Sequence, residues 1–404
     1  MRRRLFSAVA LAGCGLLVSC GGSNSSTTPV SKLKYRAFVA NQFSSVLYVV
    51  DETDDQLSTR DPSIAITDPN SLGAGPTQLL PAGSLTLIVS QSSVGPSVEF
   101  LDNTTESQSG AVAAPGSIDS IAVTPDDKFA YVASQGNSSV YVINIANKAF
   151  TSTTIPVAGA NSVVASPDST TVLAFGQGLN TATVIKVSDN STQTVSGFNY
   201  PVGAVFSSDS KTAYVLNCAS ECGAAGSPTV TKVDLSGSTP AVIASLPVDG
   251  ATVGMLDASG NLYVAGTPAV GNGVLDVINL SSFTVTKTAP IGDGYHKLMA
   301  LTAGNKLYIG ARTCTITTTA SGSNGCLSSY DPSSGKTAVL PLSSAFNVTS
   351  GGNVTGMQPV SVNGRNVLYV AQGGEFVIYD VASDTPQQTQ IDFSGIITDV
   401  KSAQ

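Results

Sequence analysis

Short apolar strands separated by polar turns recur along this chain, and one of them can be followed through eight copies that begin at Phe38, Leu87, Tyr131, Leu173, Tyr214, Tyr263, Tyr308 and Tyr369. Tyr131-Val132-Ala133-Ser134 is representative. The first residues of successive copies lie 49, 44, 42, 41, 49, 45 and 61 positions apart. That spacing brackets the period of about 40 to 50 residues expected of a repeated unit of four short strands. Most copies are preceded by a strand and a tight turn such as Thr124-Pro125-Asp126-Asp127, Ser166-Pro167-Asp168-Ser169 or Ser207-Ser208-Asp209-Ser210. Proline presets φ in such turns, and aspartate bonds the backbone just ahead of it.

Each copy is followed by a third strand that ends in Asp51, Asp102, Asn144, Asp234, Asn279, Asp331 or Asp380, with a departure at Val187-Ser188 in the fourth unit. Their regular placement predicts Asx-type turns. A Thr/Val-rich fourth strand then closes the unit, as in Phe150 to Pro156 or Thr284 to Pro290. The pattern predicts an all-β chain folded as an eight-bladed β-propeller. A seven-bladed ring is the alternative, with the irregular stretch from Asp61 to Ala114 as a decoration. The chain enters on a second-type strand, Tyr35 to Asn41, and ends on a surplus first-type strand, Gly395 to Lys401. Pairing of these N- and C-terminal strands would close the ring and remove its free edges.

The repeated Tyr131-Val132-Ala133-Ser134 element resembles the signature of bacterial YVTN-type β-propellers, which are similar to the lactonase-like propellers. The resemblance spans nearly all of Tyr35 to Gln404. It implies the architecture. It does not carry an activity, because lactonase-like relatives use charged and histidine residues converging on the central channel, and no local motif here matches such a set.

Residues 1–19 read as a lipoprotein signal, with Arg2 to Arg4 as a basic start and Leu5 to Val18 as an apolar stretch. Cys14 and Cys20 both sit in lipobox-like contexts, and Cys20 is the expected lipid attachment site because a solvated Gly/Ser/Thr run follows it. The expected organisation is therefore a signal over 1–19, a flexible tether over 20–33 and a propeller over 34–404. No later apolar run approaches the roughly 18 residues of a membrane span. Charged residues make up 11% of the chain and the formal net charge is -8, with no Lys/Arg cluster beyond the signal, which excludes a nucleic-acid footprint. Sparse helix formers beside 39 Gly favour an all-β chain. A monomer is expected, held to the membrane through its lipid and exposed to the periplasm or the cell surface.

Two further cysteine pairs fall between the second and third strands of their units: Cys218 with Cys222, and Cys314 with Cys326. Local disulfides are expected in an exported chain. A metal site is the rival reading, and neither pair brings a histidine or a second CxxC. In a propeller the second-to-third and fourth-to-first connections emerge on one face. Extra length collects there in Cys218 to Pro228, Thr267 to Gly273, Cys314 to Leu327 and Ser343 to Thr355. Loops on a rigid scaffold are where binding concentrates. Just after the repeated strand stand Gln42, Gln91, Gln135 and Gln177 in the first four units, then Cys218, Thr267, Arg312 and Gly373. The glutamines are candidates to line a polar rim, or else they contact a neighbouring loop.

The one histidine, His296, lies in Asp293-Gly294-Tyr295-His296-Lys297. Asp293, His296, Arg312 and Glu375 form a candidate cluster at the channel mouth, set against the plainer expectation that His296 is a solvated loop residue. Likewise the acidic run Asp51-Glu52-Thr53-Asp54-Asp55 is either a calcium-binding segment or, as expected here, a solvated turn. No Gly-x-Ser-x-Gly, P-loop or His-Glu-x-x-His sequence occurs, so no catalytic residue, metal or cofactor is assigned. The leading functional expectation is a non-catalytic envelope propeller that binds or scaffolds a protein, peptide or glycan partner. A lactonase-like hydrolase is the alternative, and a passive structural lipoprotein is a third reading.

Overall fold

In the computed structural model the chain forms eight antiparallel sheets arranged as the blades of an all-β propeller. The structure describes residues 30–268, 271–315, 325–340, 352–387 and 391–403. Blade three shows the plan: inner strand Ser120–Val123, second strand Phe129–Ser134, third strand Ser139–Asn144 and outer strand Ala149–Pro156. The seven-bladed alternative is overturned, because Gly75 to Ala113 forms a complete blade of four strands. Within that stretch, Ser63–Ala65 is a decoration. It pairs with the third strand of blade one beside the short outer strand Gln56–Leu57.

The second strands are sealed on both sides, which is why they read as unbroken apolar runs rather than alternating ones. In blade one Ala37 and Val39 pack into the core shared with blade eight, while Phe38 and Ala40 pack into the core shared with blade two. A fully buried Val, Leu or Phe in such a seam contributes about 1.5 to 3 kcal/mol. Outer strands face water, so Ala241–Pro247 is largely exposed.

The ring closes as the two chain ends predict. Arg36–Asn41 pairs antiparallel with Ile397–Ala403, so blade one takes its inner strand from the C-terminal end and its other strands from the N-terminal part. The chain reaches this strand by way of blade two, where the backbone N–H and hydroxyl of Ser31 donate to Glu106, and Arg36 pairs with the same carboxylate at 2.9 Å. The last residues of the segment expected to be tether are thus packed against the ring.

The turns form as their sequences dictate. Hydroxyls of Thr124, Ser166 and Ser207 donate to Asp126, Asp168 and Asp209, each at 2.7 Å, in the first-to-second hairpins. At the third-to-fourth turns, Asp51 accepts the N–H of Thr53 at 2.8 Å, Asp102 that of Thr104 at 2.9 Å and Asp380 that of Ser383 at 2.8 Å. In blade four the role passes to Asp189, which accepts the N–H of Ser191 at 3.0 Å.

The tyrosine that opens the repeated strand also has a role between blades. Tyr131 of blade three donates to Asn190 of blade four at 2.8 Å, and Tyr308 of blade seven donates to Asp384 of blade eight at 2.7 Å. Tyr369 of blade eight donates to Asp55 of blade one. All three acceptors adopt left-handed backbone, with φ between 57° and 59°, a conformation that Asn and Asp tolerate better than other side chains. Asp55 is also paired with Arg365. The acidic run around it is therefore not the solvated turn expected, since Asp55 and Glu52 are buried, the latter accepting from Ser402.

Candidate functional site at the ring mouth

The first-to-second and third-to-fourth turns described above make up one face of the ring, here the turn face. The second-to-third and outer-to-inner connections form the opposite face, the mouth. Gln42, Gln91, Gln135 and Gln177 all lie exposed on the mouth. The side-chain amide of Gln135 donates to Gln177, joining blades three and four. Gln91 bonds its own neighbour, Ser92, at 3.4 Å.

Cys218 with Cys222 and Cys314 with Cys326 are bridged within their own loops, each with Cα atoms 5.5 Å apart. Cys218 leads into a single 3-10 turn, Ala219–Cys222. Among the expected loop extensions, residues 269–270, 316–324 and 341–351 lie outside the described residues. The turn at Ala219–Cys222 carries Glu221 onto blade six, where its carboxylate accepts the N–H of Thr267 at 2.7 Å and of Ala251 at 3.3 Å. The close approach requires a glycine at 266, since a Cβ there would stand 2.4 Å from the Glu221 carboxylate. Burial pushes the Glu221 pKa up to about 7.

His296 is not the solvated loop residue expected. It lies on the inner strand Tyr295–Leu301, 1% exposed, with its ring against Gly273 of blade six and Nε2 3.0 Å from the Gly292 carbonyl. Its Nδ1 is buried without a hydrogen-bond partner. Burial lowers its pKa to about 4. Asp293 instead holds the start of the Cys314 loop, accepting the N–H of Thr315 at 2.9 Å. Glu375 sits at the blade-eight hairpin, where burial and the charge of Asp392 raise its pKa. The four residues of the proposed cluster thus share the mouth but have different surroundings, with His296 turned into the seam between blades six and seven.

A residue that the sequence reading passed over is Lys297. Six inner strands carry a bulge near their start, which places Thr77, Asn161, Val202, Lys297, Thr355 and Thr398 at equivalent positions. Asp119 and Thr252 occupy the same place in blades three and six. The threonines turn their hydroxyls back to a carbonyl of the second strand, as Thr77 does to Val89 at 3.0 Å. Lys297 alone of the eight is cationic. Its Nζ lies 5.4 Å from the centre of the Tyr295 ring, and Tyr295 is paired in register with Arg312. Although its side chain reaches solvent, the protein crowding round it lowers its pKa, and the charge of Arg312 adds to that effect. Neither cation has a carboxylate partner among the described residues, and Arg312 Nε is buried without a hydrogen bond. The signal was available in the sequence as a break in the Thr-rich column, but only once the bulge fixed the alignment.

The mouth of blades one and two has a different character. Phe43 is 81% exposed, and Leu72, Val94 and Ile396 are also exposed on neighbouring loops. These loops touch: Ile66 donates its N–H to Ser45 at 2.9 Å, and Gln42 donates to Ile396 at 2.9 Å. The mouth therefore offers an apolar quarter on blades one and two and a cationic position on blade seven.

Comparison with known proteins confirms the architecture. No protein-family model matches the chain, and neither does any curated protein sequence. Among solved structures, the dihydro-heme d1 dehydrogenase NirN, in complex with DHE, aligns with a TM-score of 0.64 at 16% identity, over 90% of this chain and 73% of that one. Hydrazine synthase of Kuenenia stuttgartiensis aligns at TM-score 0.53 and 18% identity, covering 66% of this chain and 79% of its own. A functionally unknown protein from Desulfotomaculum acetoxidans aligns at TM-score 0.53 and 17% identity, with coverages of 75% and 94%. At these identities the likeness is one of fold.

Proposed function

We propose that this chain is an exported, lipid-anchored binding module of the cell envelope that presents its mouth to a protein, peptide or glycan partner and performs no catalysis. One observation carries the reading. Among the described residues, eight side chains hold a buried polar atom without a hydrogen bond. Seven lie on the mouth half of the ring; of these, Glu99 and Ser90 lie within reach of each other and Asp68 lies within reach of Ser92, which leaves Asn161, His296, Arg312 and Gln372. The eighth, Arg36 Nε on the turn face, has the Glu106 carboxylate at 2.9 Å. Unsatisfied buried polar groups are costly, and their confinement to one face supports a role for that face in contacts beyond the chain.

The lactonase-like alternative is less well supported, because His296 is sealed away from the channel with a lowered pKa and is unsuited to exchange protons with a bound ester. The entry of the chain also favours the binding reading. Ser31 and Leu33 lie against the turn face of blade two. A lipid on Cys20 would then hold the turn face toward the bilayer through a tether of about 40 Å at most, leaving the mouth directed away from it. Affinity capture from the native envelope tests the proposal, using the whole chain, a mouth variant carrying Phe43→Ser with Val94→Ser, and the turn-face variant Lys128→Gln. Partners lost only with the mouth variant are the expected result. Partners retained by the mouth variant would overturn the assignment of this face.

A further inference from the structure

Building on that binding reading, we propose that Lys297 and Arg312, flanking Tyr295 on blade seven, form a subsite for a single carboxylate group of the ligand. Lys297 stands where four other blades place a threonine that folds its hydroxyl back on the backbone and where the remaining three place Asp119, Asn161 and Val202, so the bulge does not call for a cation. Each long cation has a hydrophilic head to satisfy. The ion pairs of the turn face show how the fold does so when a cation is structural: Arg365 meets Asp55, and Lys306 meets Asp384 at 2.7 Å. Among the described residues, Lys297 and Arg312 are given no such carboxylate. Instead they flank the Tyr295 ring, Lys297 Nζ lying 5.4 Å from its centre and Arg312 pairing with Tyr295 in register, and the charge of Arg312 adds to the lowering of the Lys297 pKa. An anion placed between them would offset the charge of Arg312 at Lys297 and give the two cations a common partner.

A guanidinium offers a planar fork suited to carboxylate or phosphate, and an ammonium adds a point charge. The surroundings favour the less charged of the two anions. Asp119, Asp293, Glu375 and Asp392 all stand on the mouth face, and the whole chain carries a net charge of -8, so a dianionic phosphate would be repelled more strongly than a carboxylate. Tyr295 provides a ring and a phenol hydroxyl beside the two cations, as a site for a ring-bearing acid such as a uronic acid would require.

The experiment is NMR titration of the full chain labelled with 13C-lysine, the Lys297 side-chain signals being assigned with Lys297→Gln. Galacturonate, galactose, and phosphate are added at matched ionic strength. The expected result is a saturable shift of the Lys297 signals with galacturonate and none with galactose. Arg312→Gln should weaken the response about ten-fold or more, as loss of a hydrogen bond to a charged group predicts, while Lys128→Gln leaves it unchanged. A response to phosphate stronger than that to galacturonate would overturn the carboxylate assignment. No saturable shift with either anion, or an equal response in Arg312→Gln, would overturn the subsite. In that event partner capture through Phe43 and Val94 still decides the broader binding reading independently.

Discussion

The two faces of the ring are built from the same repeat but use their polar groups in opposite ways. On the turn face, the carboxylates and hydroxyls of successive blades fall into one motif, the tyrosines at 131, 308 and 369 bond the next blade, and five of the six ion pairs among the described residues are found there. The sixth, Lys401 with Asp399, lies on the inner strand that closes the ring. The mouth lacks this regularity, with Lys297 and Arg312 outside every ion pair found and Phe43 in water. A repeat that satisfies its polar groups on one face and leaves them open on the other separates what holds the fold from what can meet a partner.

Substitutions should break this contrast in a definite order. Asp55→Ala has the largest expected effect, because it strips Arg365 and Tyr369 of their shared acceptor at the seam where the ring closes. A loss of about 3 kcal/mol is expected by chemical denaturation, near the lower end for breaking a largely buried ion pair. A loss within experimental error would show that the turn-face latch does not hold the ring.

His296 gives an effect of comparable size at low pH, and none above pH 6.5. Its pKa is lowered in the fold from 6.5 to about 4, so the unfolded chain takes up the proton first as pH falls. Its contribution is complete above pH 6.5 and is lost as pH falls toward 4, by up to about 1.4 kcal/mol per pH unit. His296→Gln should flatten the stability profile over that window. Glu221 has the opposite sign: with its pKa raised to about 7, its contribution is complete below about pH 4.5 and is lost as pH rises through 7. Glu221→Gln should therefore soften the loss of stability between about pH 4.5 and 7, measured as the unfolding midpoint against pH.

Smaller effects sharpen the comparison. Tyr308→Phe removes one hydroxyl from a network in which Asp384 keeps Lys306 and Ser329, so about 1 kcal/mol is expected. Lys297→Gln combined with Arg312→Gln should change stability by no more than about 0.5 kcal/mol, since neither side chain has a carboxylate partner among the described residues. A large destabilisation by that pair would recast both residues as structural.

Much of the fold was legible because a propeller writes its period into the chain. Tyr131-Val132-Ala133-Ser134 and its relatives mark strands buried on both faces, and Asp51 or Asp380 marks a turn whose hydrogen bonds are local. What escaped the sequence depended on contacts between distant blades. Asp55 looks like part of a solvated acidic run until Arg365 and Tyr369, some 310 residues away, are brought against it. His296 looks like a loop residue because the bulge at Lys297 hides the inner strand that buries it. Glu221 acquires its raised pKa only by crossing from blade five to blade six, which no local pattern records.

The division between the faces is tested most directly by hydroxyl-radical footprinting of the chain in its native envelope and after purification, read at Phe43 on the mouth and Tyr35 on the turn face. The account predicts that Phe43, 81% exposed in the isolated chain, becomes protected in the envelope. Equal oxidation of Phe43 in both preparations would contradict it.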